Sequence, residues 1–161
     1  MNMSPIEFWT MAYALTTIII MVIVGASAWW AKGQLEEVKR ARQLDCLTTL
    51  SEKWSSDLIR EARRITDAAG ANFDEIWKTL ETESSEDYFK LAALANFFED
   101  LAILEKEGQI TFEQVSDRFG PALTYYHGVL AGIIAEHQKE DARVLENFDA
   151  LAKRIEETTT S

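Results

Sequence analysis

The chain has 161 residues, enough for one domain plus a short additional segment. Its net charge of −11 opposes contact with phosphate backbones, so the composition excludes a general nucleic-acid-binding protein. The single cysteine, Cys46, allows neither an internal disulfide nor a thiolate zinc site. Only 7 glycines and 2 prolines interrupt a sequence rich in helix-forming residues, which favours an all-α fold.

The first predicted element is an uncharged apolar run from Phe8 to Ala31. As a helix it spans about 36 Å, which exceeds the hydrocarbon core of a bilayer, about 30 Å thick. Aromatic and basic residues of the kind that anchor helices at the two membrane interfaces lie near the two ends of the run. These candidate anchors are Trp9, Tyr13, Trp29, Trp30 and Lys32. The run therefore predicts one transmembrane helix, with the lipid bilayer as a partner.

Two interpretations of this segment remain open, an uncleaved anchor and a cleaved signal peptide. The small residues Ala26-Ser27-Ala28 resemble a signal-peptidase site, but the seven residues before the run lack the basic charge of a signal peptide. The cations come after the run instead, at Lys32, Lys39, Arg40 and Arg42. We favour the uncleaved anchor, and the positive-inside rule then predicts an N-terminus outside the cell and a cytoplasmic C-terminal domain.

These patterns predict four segments along the chain. Residues 1–7 are an extracytoplasmic N-terminus, 8–31 the transmembrane helix, 32–157 a cytoplasmic helical domain and 158–161 a flexible tail. Apolar residues continue at three- and four-residue steps from Gln34 to Trp54, so we expect the transmembrane helix to run on into the domain. The domain itself reads as a bundle of about five or six helices.

Capping and breaking signals divide the rest of the bundle. Ser56 or Asp57 begins a helix that ends near Ala69, before Gly70. A short helix over 72–83 follows, and Ser84 or Ser85 caps a helix over 86–107. This last helix is apolar on nearly all sides, so we expect it at the centre of the fold.

Three further helices are predicted after Gly108. Thr111 and Gln114 form a capping box at the start of the first. Gly120-Pro121 predicts a break, with Pro121 in the first turn of a helix that extends to about residue 140. The final helix is predicted over residues 142–157.

No constellation of residues predicts an enzyme, a cofactor or a metal. The stretch Glu105–Gln114 resembles the second half of an EF-hand loop, but Ile103 and Gln114 occupy the positions where calcium requires acids. His127 and His137 do not share a helix face. A polar cluster around His137 is either part of a metal site or a solvated helix end, and we favour the helix end. Its members are Glu136, His137, Glu140 and Asp141.

Glu99 is the most informative single residue, because it follows Phe97-Phe98 on the helix expected to be most buried. A buried carboxylate requires a partner. We expect a structural ion pair rather than a catalytic acid, so Glu99→Ala should destabilise the domain. The candidate partners are Arg143, Arg118 and Arg63.

An ordered set of aromatic, acidic and glycine positions over residues 34–155 resembles a known family. The set comprises Arg40-Ala41-Arg42, Leu50 and Trp54, Phe97-Phe98-Glu99-Asp100-Leu101, Gly108, Ile110, Val115, Phe119-Gly120, Tyr125-Tyr126, Arg143, Phe148 and Leu151. It is similar to the bacterial family called domain of unknown function 4760. The resemblance implies a short, membrane-anchored, helical bacterial protein with no assigned activity.

The functional hypothesis is a non-catalytic accessory or scaffold subunit of the inner membrane, which binds a larger assembly or copies of itself. Exposed aromatic residues are the candidate partner contacts, although each also fits the core. They are Phe73, Trp77 and Tyr125. The alternative is a membrane-anchored signalling or phage-defence component. The alternative predicts a ligand pocket, whereas the first hypothesis predicts a flat apolar patch.

Overall fold

A computed structural model describes residues 5–159, and the regular structure in this range is entirely helical, which confirms the predicted all-α class. Six α-helices and one 3-10 turn follow in chain order. They are α1 (Pro5–Ser55), α2 (Asp57–Ala69), the 3-10 turn Gly70–Asn72, α3 (Phe73–Thr82), α4 (Glu86–Lys106), α5 (Phe112–His137) and α6 (Glu146–Thr159).

Helix α1 continues without interruption from the apolar segment into the bundle, as the periodicity predicted. One compact unit of the chain ends at Arg42, and the second begins at Gln43. In the second unit, Leu47 and Leu50 on the last turns of α1 are buried. The bundle therefore consists of the end of α1 together with α2 to α6, which agrees with the predicted number of helices.

Helices α2 and α4 begin at predicted caps. The Ser56 hydroxyl accepts the backbone N–H of Ile59, and the Ser85 hydroxyl accepts the N–H of Tyr88 at 3.1 Å. Each bond satisfies one of the amides that a helix N-terminus leaves without an internal acceptor. Gly70 ends α2 with a φ of 53°, a conformation that costs glycine little because it has no Cβ.

Helix α5 contradicts the predicted break at Gly120-Pro121. The capping box of Thr111 and Gln114 is present, but one helix then runs through Pro121 to His137. Phe119 and Leu123 lie on either side of the proline and are both buried. Burial of such side chains stabilises by about 1.5–3 kcal/mol each, which offsets the roughly 3 kcal/mol cost of an internal proline.

Helix α6 begins at Glu146, four residues later than expected, because residues 138–145 form turns. The Asp141 carboxylate accepts the backbone N–H of Arg143 at 3.0 Å, a local bond that competes with helix formation. Leu145, the last residue before α6, has a φ of 52°. We call residues 138–145 the α5–α6 link.

Helix α4 is the centre of the core, as predicted, and packs against α2, α3, α5 and α6. Aromatic rings from four helices meet beside it. The Trp54 ring lies 5.3 Å from that of Phe97 and 6.2 Å from that of Tyr126, and Phe98 stacks on Phe148 at 5.1 Å. These contacts join the last turns of α1 to α4 and α5, and α4 to α6, so the end of the long helix is part of the core.

Candidate functional site

The first candidate site is the apolar surface of α1. Within residues 5–159, one helical segment, Leu15–Ser55, contains a stretch long and apolar enough to cross a membrane, and no part of that stretch is buried against protein. The side chains from Ile18 to Val24 are 55–70% exposed. Such a surface is costly in water, and the hydrocarbon of a bilayer would cover it.

The predicted interface anchors lie on this helix. Trp9, Tyr13, Trp29 and Trp30 are all exposed, and Lys32 follows as the first exposed cation. Their side chains are therefore available to a lipid interface. Their role as membrane anchors stays a prediction.

Two of the three predicted partner contacts belong to the core instead. Phe73 and Trp77 are 3% and 5% exposed, so the prediction that they face outward is wrong. They are four residues apart on α3, and this spacing places both on the face that packs against α4 and α5. Tyr125 is 51% exposed, and its hydroxyl donates to the Asp67 carboxylate at 3.1 Å. It remains a candidate contact.

Glu99 is partly buried, but the predicted arginine partner is wrong. Its carboxylate accepts the side-chain amide of Asn147 at 2.6 Å and the backbone N–H of Phe148 at 2.8 Å. Arg143 instead pairs with Asp141 at 2.9 Å, and Arg63 lies over the Trp54 ring at 4.3 Å. The donors to Glu99 therefore come from the first turn of α6 and not from the arginine that we expected.

The second candidate site is a cleft of about 350 Å³ between α3, α4, the end of α5 and the α5–α6 link. We call it the Trp77 cleft. The small side chains of Ala92 and Ala95 leave space on the α4 side, and Ile133 and Val144 face them from α5 and the link. The rest of the wall includes Trp77, Tyr88, Asn96, Glu99, His137 and Arg143.

A hydrogen-bonded group links α3, α4 and α5 at the edge of this cleft. One carboxylate oxygen of Glu81 accepts the Tyr88 hydroxyl at 3.3 Å and contacts His137 Nε2 at 3.2 Å. His137 Nδ1 lies 2.9 Å from the carbonyl oxygen of Ile133. Each ring nitrogen therefore faces an acceptor, an arrangement that favours the doubly protonated imidazolium.

The pKa values at this edge follow from the same contacts. The hydrogen bond to the Ile133 carbonyl raises the pKa of His137, and the Glu81 carboxylate adds to that effect against the opposing effect of burial. Burial raises the pKa of the Tyr88 phenol, and Glu81 raises it further. Near neutral pH the group thus combines a neutral phenol, a carboxylate and a histidine with an enhanced tendency to be charged.

Trp77 carries a buried donor without an acceptor. Among the described residues, two buried side-chain nitrogens have no hydrogen-bond partner, Arg63 Nε and Trp77 Nε1. An unsatisfied buried donor costs about 1–3 kcal/mol. Trp77 lines the cleft and its indole N–H is unpaired, so an acceptor atom that reached Nε1 would gain a hydrogen bond that the described protein atoms do not supply.

The second histidine, His127, also lies on α5 and contacts acidic side chains of α6. His127 Nε2 contacts the Asp149 carboxylate at 2.9 Å, and Nδ1 lies 3.6 Å from Glu156. Burial opposes ionisation of Asp149, but hydrogen bonds from Lys153 and His127 outweigh it and lower its pKa. The two carboxylates contact different ring nitrogens, and within residues 5–159 no three His, Cys, Asp or Glu side chains are grouped to hold a metal ion.

Sequence reasoning missed the Trp77 cleft. It identified His137 within a polar cluster. It did not identify Glu81, which contacts His137, or Tyr88, which donates to the same Glu81 oxygen, because no motif distinguishes them. Ala92 and Ala95 read only as helix formers. The one sequence feature that points to the cleft is the pair Ala92 and Ala95, three positions apart on the most apolar helix. Whether such a pair leaves a cleft depends on which side chains of other helices face it.

The fold and these sites define a small helical-bundle protein with an N-terminal helix that is able to span a membrane. The chain belongs to the family described as Domain of unknown function (DUF4760), whose family model matches residues 15–155. The match begins inside the apolar segment and extends to α6. No curated protein and no solved structure matches the chain.

Proposed function

We propose that this protein is a single-pass protein of the bacterial inner membrane whose helical domain is a non-catalytic accessory or scaffold subunit. The observation that carries the proposal is the exposed apolar surface of α1, from Leu15 to the Trp29-Trp30 pair. The uncharged run Phe8–Ala31, which contains this surface, is about 36 Å long as a helix, enough for a hydrocarbon core of about 30 Å. A bilayer is the partner whose chemistry fits it.

The charges beside the apolar span support an N-terminus outside the cell and a cytoplasmic domain. Lys32, Lys39, Arg40 and Arg42 follow the span within eleven residues, against Glu36 and Glu37. The segment ahead of the span contains no Lys or Arg. Short basic flanks stay in the cytoplasm during insertion, so this asymmetry favours the proposed orientation.

Impermeant maleimide labelling of intact spheroplasts tests the orientation. In a Cys46→Ala background, we expect Asn2→Cys to react from outside, and Thr158→Cys to react only after lysis. The two single-cysteine variants control for each other, because each is labelled under the same conditions and only the position of the thiol differs. The reverse pattern, or recovery of the protein in the soluble fraction, contradicts the proposed topology.

The accessory role is supported by apolar side chains that the bundle leaves on its surface. These are Leu44 on α1, Leu58 on α2, Phe89 on α4 and Tyr125 on α5, each about half exposed or more. Aromatic and aliphatic residues of this kind supply the binding energy of protein interfaces. A docked subunit, or a second copy of this chain, would cover them.

Purification from native membranes in mild detergent tests this role. We expect a stoichiometric protein partner or a self-assembled complex, identified by mass spectrometry and by detergent-corrected mass. Phe89→Ser should weaken the complex, whereas Glu83→Ser, an exposed change nearby in sequence, should leave it intact. Recovery of a lone monomer from native membranes contradicts the accessory-subunit proposal.

A second candidate function is a membrane-anchored signalling or phage-defence component. The Trp77 cleft favours this candidate, because a sensor requires a ligand pocket and the cleft lies beside the hydrogen-bonded group of Glu81, Tyr88 and His137. Ligand binding without a constitutive partner would favour this function over the accessory role.

A further inference from the structure

We propose that the Trp77 cleft binds a small uncharged aromatic molecule that carries a carbonyl oxygen. This inference does not depend on the accessory role, because it concerns a cleft between helices of the bundle and not the exposed apolar residues of its outer surface. Three properties of the cleft support it, namely its walls, its partnered charged groups and its unpaired donor.

The walls fit an apolar body of limited size. The cleft has a volume of about 350 Å³, at the lower end of the roughly 300–1,000 Å³ typical of small-molecule sites. Ala92, Ala95, Ile133 and Val144 provide aliphatic surface, and the rings of Trp77 and Tyr88 lie 5.6 Å apart in an edge-to-face arrangement. A single substituted aromatic ring has the size and surface that such walls accept.

Each charged side chain that lines the cleft already has a hydrogen-bond or ion-pair partner, which favours an uncharged ligand. Both oxygens of Glu99 accept donors from the start of α6. Arg143 donates through Nε and Nη2 to the two oxygens of Asp141, at 3.0 and 2.9 Å. His137 faces Glu81. An ionic ligand would need to displace one of these partners, whereas a neutral ligand leaves all of them in place.

The unpaired indole N–H supplies the polar specificity. Trp77 is 5% exposed and its Nε1 has no acceptor in the described chain. A carbonyl oxygen is an acceptor without a donor, so it satisfies this group and leaves no new donor unpaired. Because solvent does not reach Nε1, the ligand must displace part of the wall. The α5–α6 link is the part not held by a regular helix, so binding should move residues 138–145.

The test uses the full chain in detergent micelles, uniformly labelled with ¹⁵N so that the tryptophan indoles and the backbone amides are both observed. The probes are acetophenone, ethylbenzene, which has nearly the same shape but no acceptor, and benzoate, which adds a charge. We expect acetophenone to shift the Trp77 indole resonance and the amides of the α5–α6 link. We expect at least tenfold weaker binding of ethylbenzene and of benzoate, while the indole of Trp54 stays unchanged.

Two variants separate the roles of space and of the N–H group. Ala92→Leu should fill the cleft and reduce acetophenone binding at least tenfold, whereas Ala135→Leu, on the exposed side of α5, should not. Trp77→Phe keeps a ring but removes the donor, and should reduce acetophenone binding to the level of ethylbenzene. Circular dichroism checks that each variant is folded.

Three results overturn the proposal, and the first two require no variant. One is the absence of a Trp77 shift with any probe. Another is equal binding of acetophenone and ethylbenzene, which would assign no role to the N–H. The third is unchanged acetophenone binding in a folded Ala92→Leu chain, which would place the ligand elsewhere.

Discussion

The Glu99 carboxylate on α4 accepts the backbone N–H of Phe148 on α6 at 2.8 Å, and thereby caps one helix from the middle of another. Phe148 lies in the first turn of α6, where backbone amides have no internal acceptor. A negative charge at this position also interacts favourably with the positive end of the helix dipole. The contact joins the central helix to the last one.

Glu99→Ala should therefore lower the free energy of unfolding by about 1–3 kcal/mol, because it leaves the Asn147 and Phe148 donors without an acceptor. Glu99→Gln keeps one acceptor oxygen and should cost less. Denaturant unfolding of the full chain in detergent measures both. Asp100→Ala, which removes only an exposed ion pair to Lys53 at 2.8 Å, is the matched control and should cost at most about 1 kcal/mol. Unchanged stability of Glu99→Ala, together with lost function, would instead assign Glu99 a functional role.

Two glycines on α5 should respond differently to alanine. A Cβ at Gly128 meets no atom within 4 Å, so Gly128→Ala should stabilise the bundle by about 0.5–1 kcal/mol through helix propensity. At Gly132 the added Cβ collides with the Asp74 carboxylate of α3. Gly132→Ala should gain less, or destabilise.

Thermal unfolding of Gly128→Ala, Gly132→Ala and the double variant Asp74→Ala with Gly132→Ala tests this difference. Removal of the Asp74 carboxylate should remove the collision. The double variant should then be more stable than Asp74→Ala alone, by the amount that Gly128→Ala gains. Equal stabilisation at both glycines in the wild-type background would show that α3 does not approach α5 so closely.

Pro121→Ala should stabilise the protein, because Pro121 lies inside α5 and cannot donate to the carbonyl of Asp117. The expected gain is about 1–3 kcal/mol, reduced by the greater freedom of the unfolded chain when proline is lost. Unfolding midpoints and hydrogen exchange of the 117–121 amides measure it. Destabilisation would mean that the proline is required for the path of α5 between Phe119 and Leu123.

Stability should also depend on the protonation of His137. Its pKa is raised in the folded protein, so its contribution is complete below the unfolded value of about 6.5 and is lost as the pH rises through the folded pKa. Unfolding curves at a series of pH values should show stability decreasing above about pH 6.5. The decrease should be absent from His137→Gln and smaller in Glu81→Gln, which removes the facing charge. An unchanged slope in His137→Gln would assign the pH dependence to another group.

The sequence by itself determined the elements whose signals are local. The apolar span of α1 depends only on consecutive residues, because a bilayer selects length and hydropathy. The sequence specified the cap of α5 at Thr111 and the caps of α2 and α4 to within one residue, because each cap side chain bonds to an amide three residues away. The central position of α4 followed from its apolar surface on nearly all sides.

Only the tertiary structure decided which faces meet. The burial of Phe73 and Trp77, the helical partner of Glu99 and the continuity of α5 through Pro121 each depend on contacts between residues far apart in the chain. The Trp77 cleft likewise exists because Ala92 and Ala95 face Ile133 and Val144 across a gap. A one-dimensional pattern specifies that a residue is apolar or ionisable, but its burial and partner depend on the packing of whole helices, which no local signal contains.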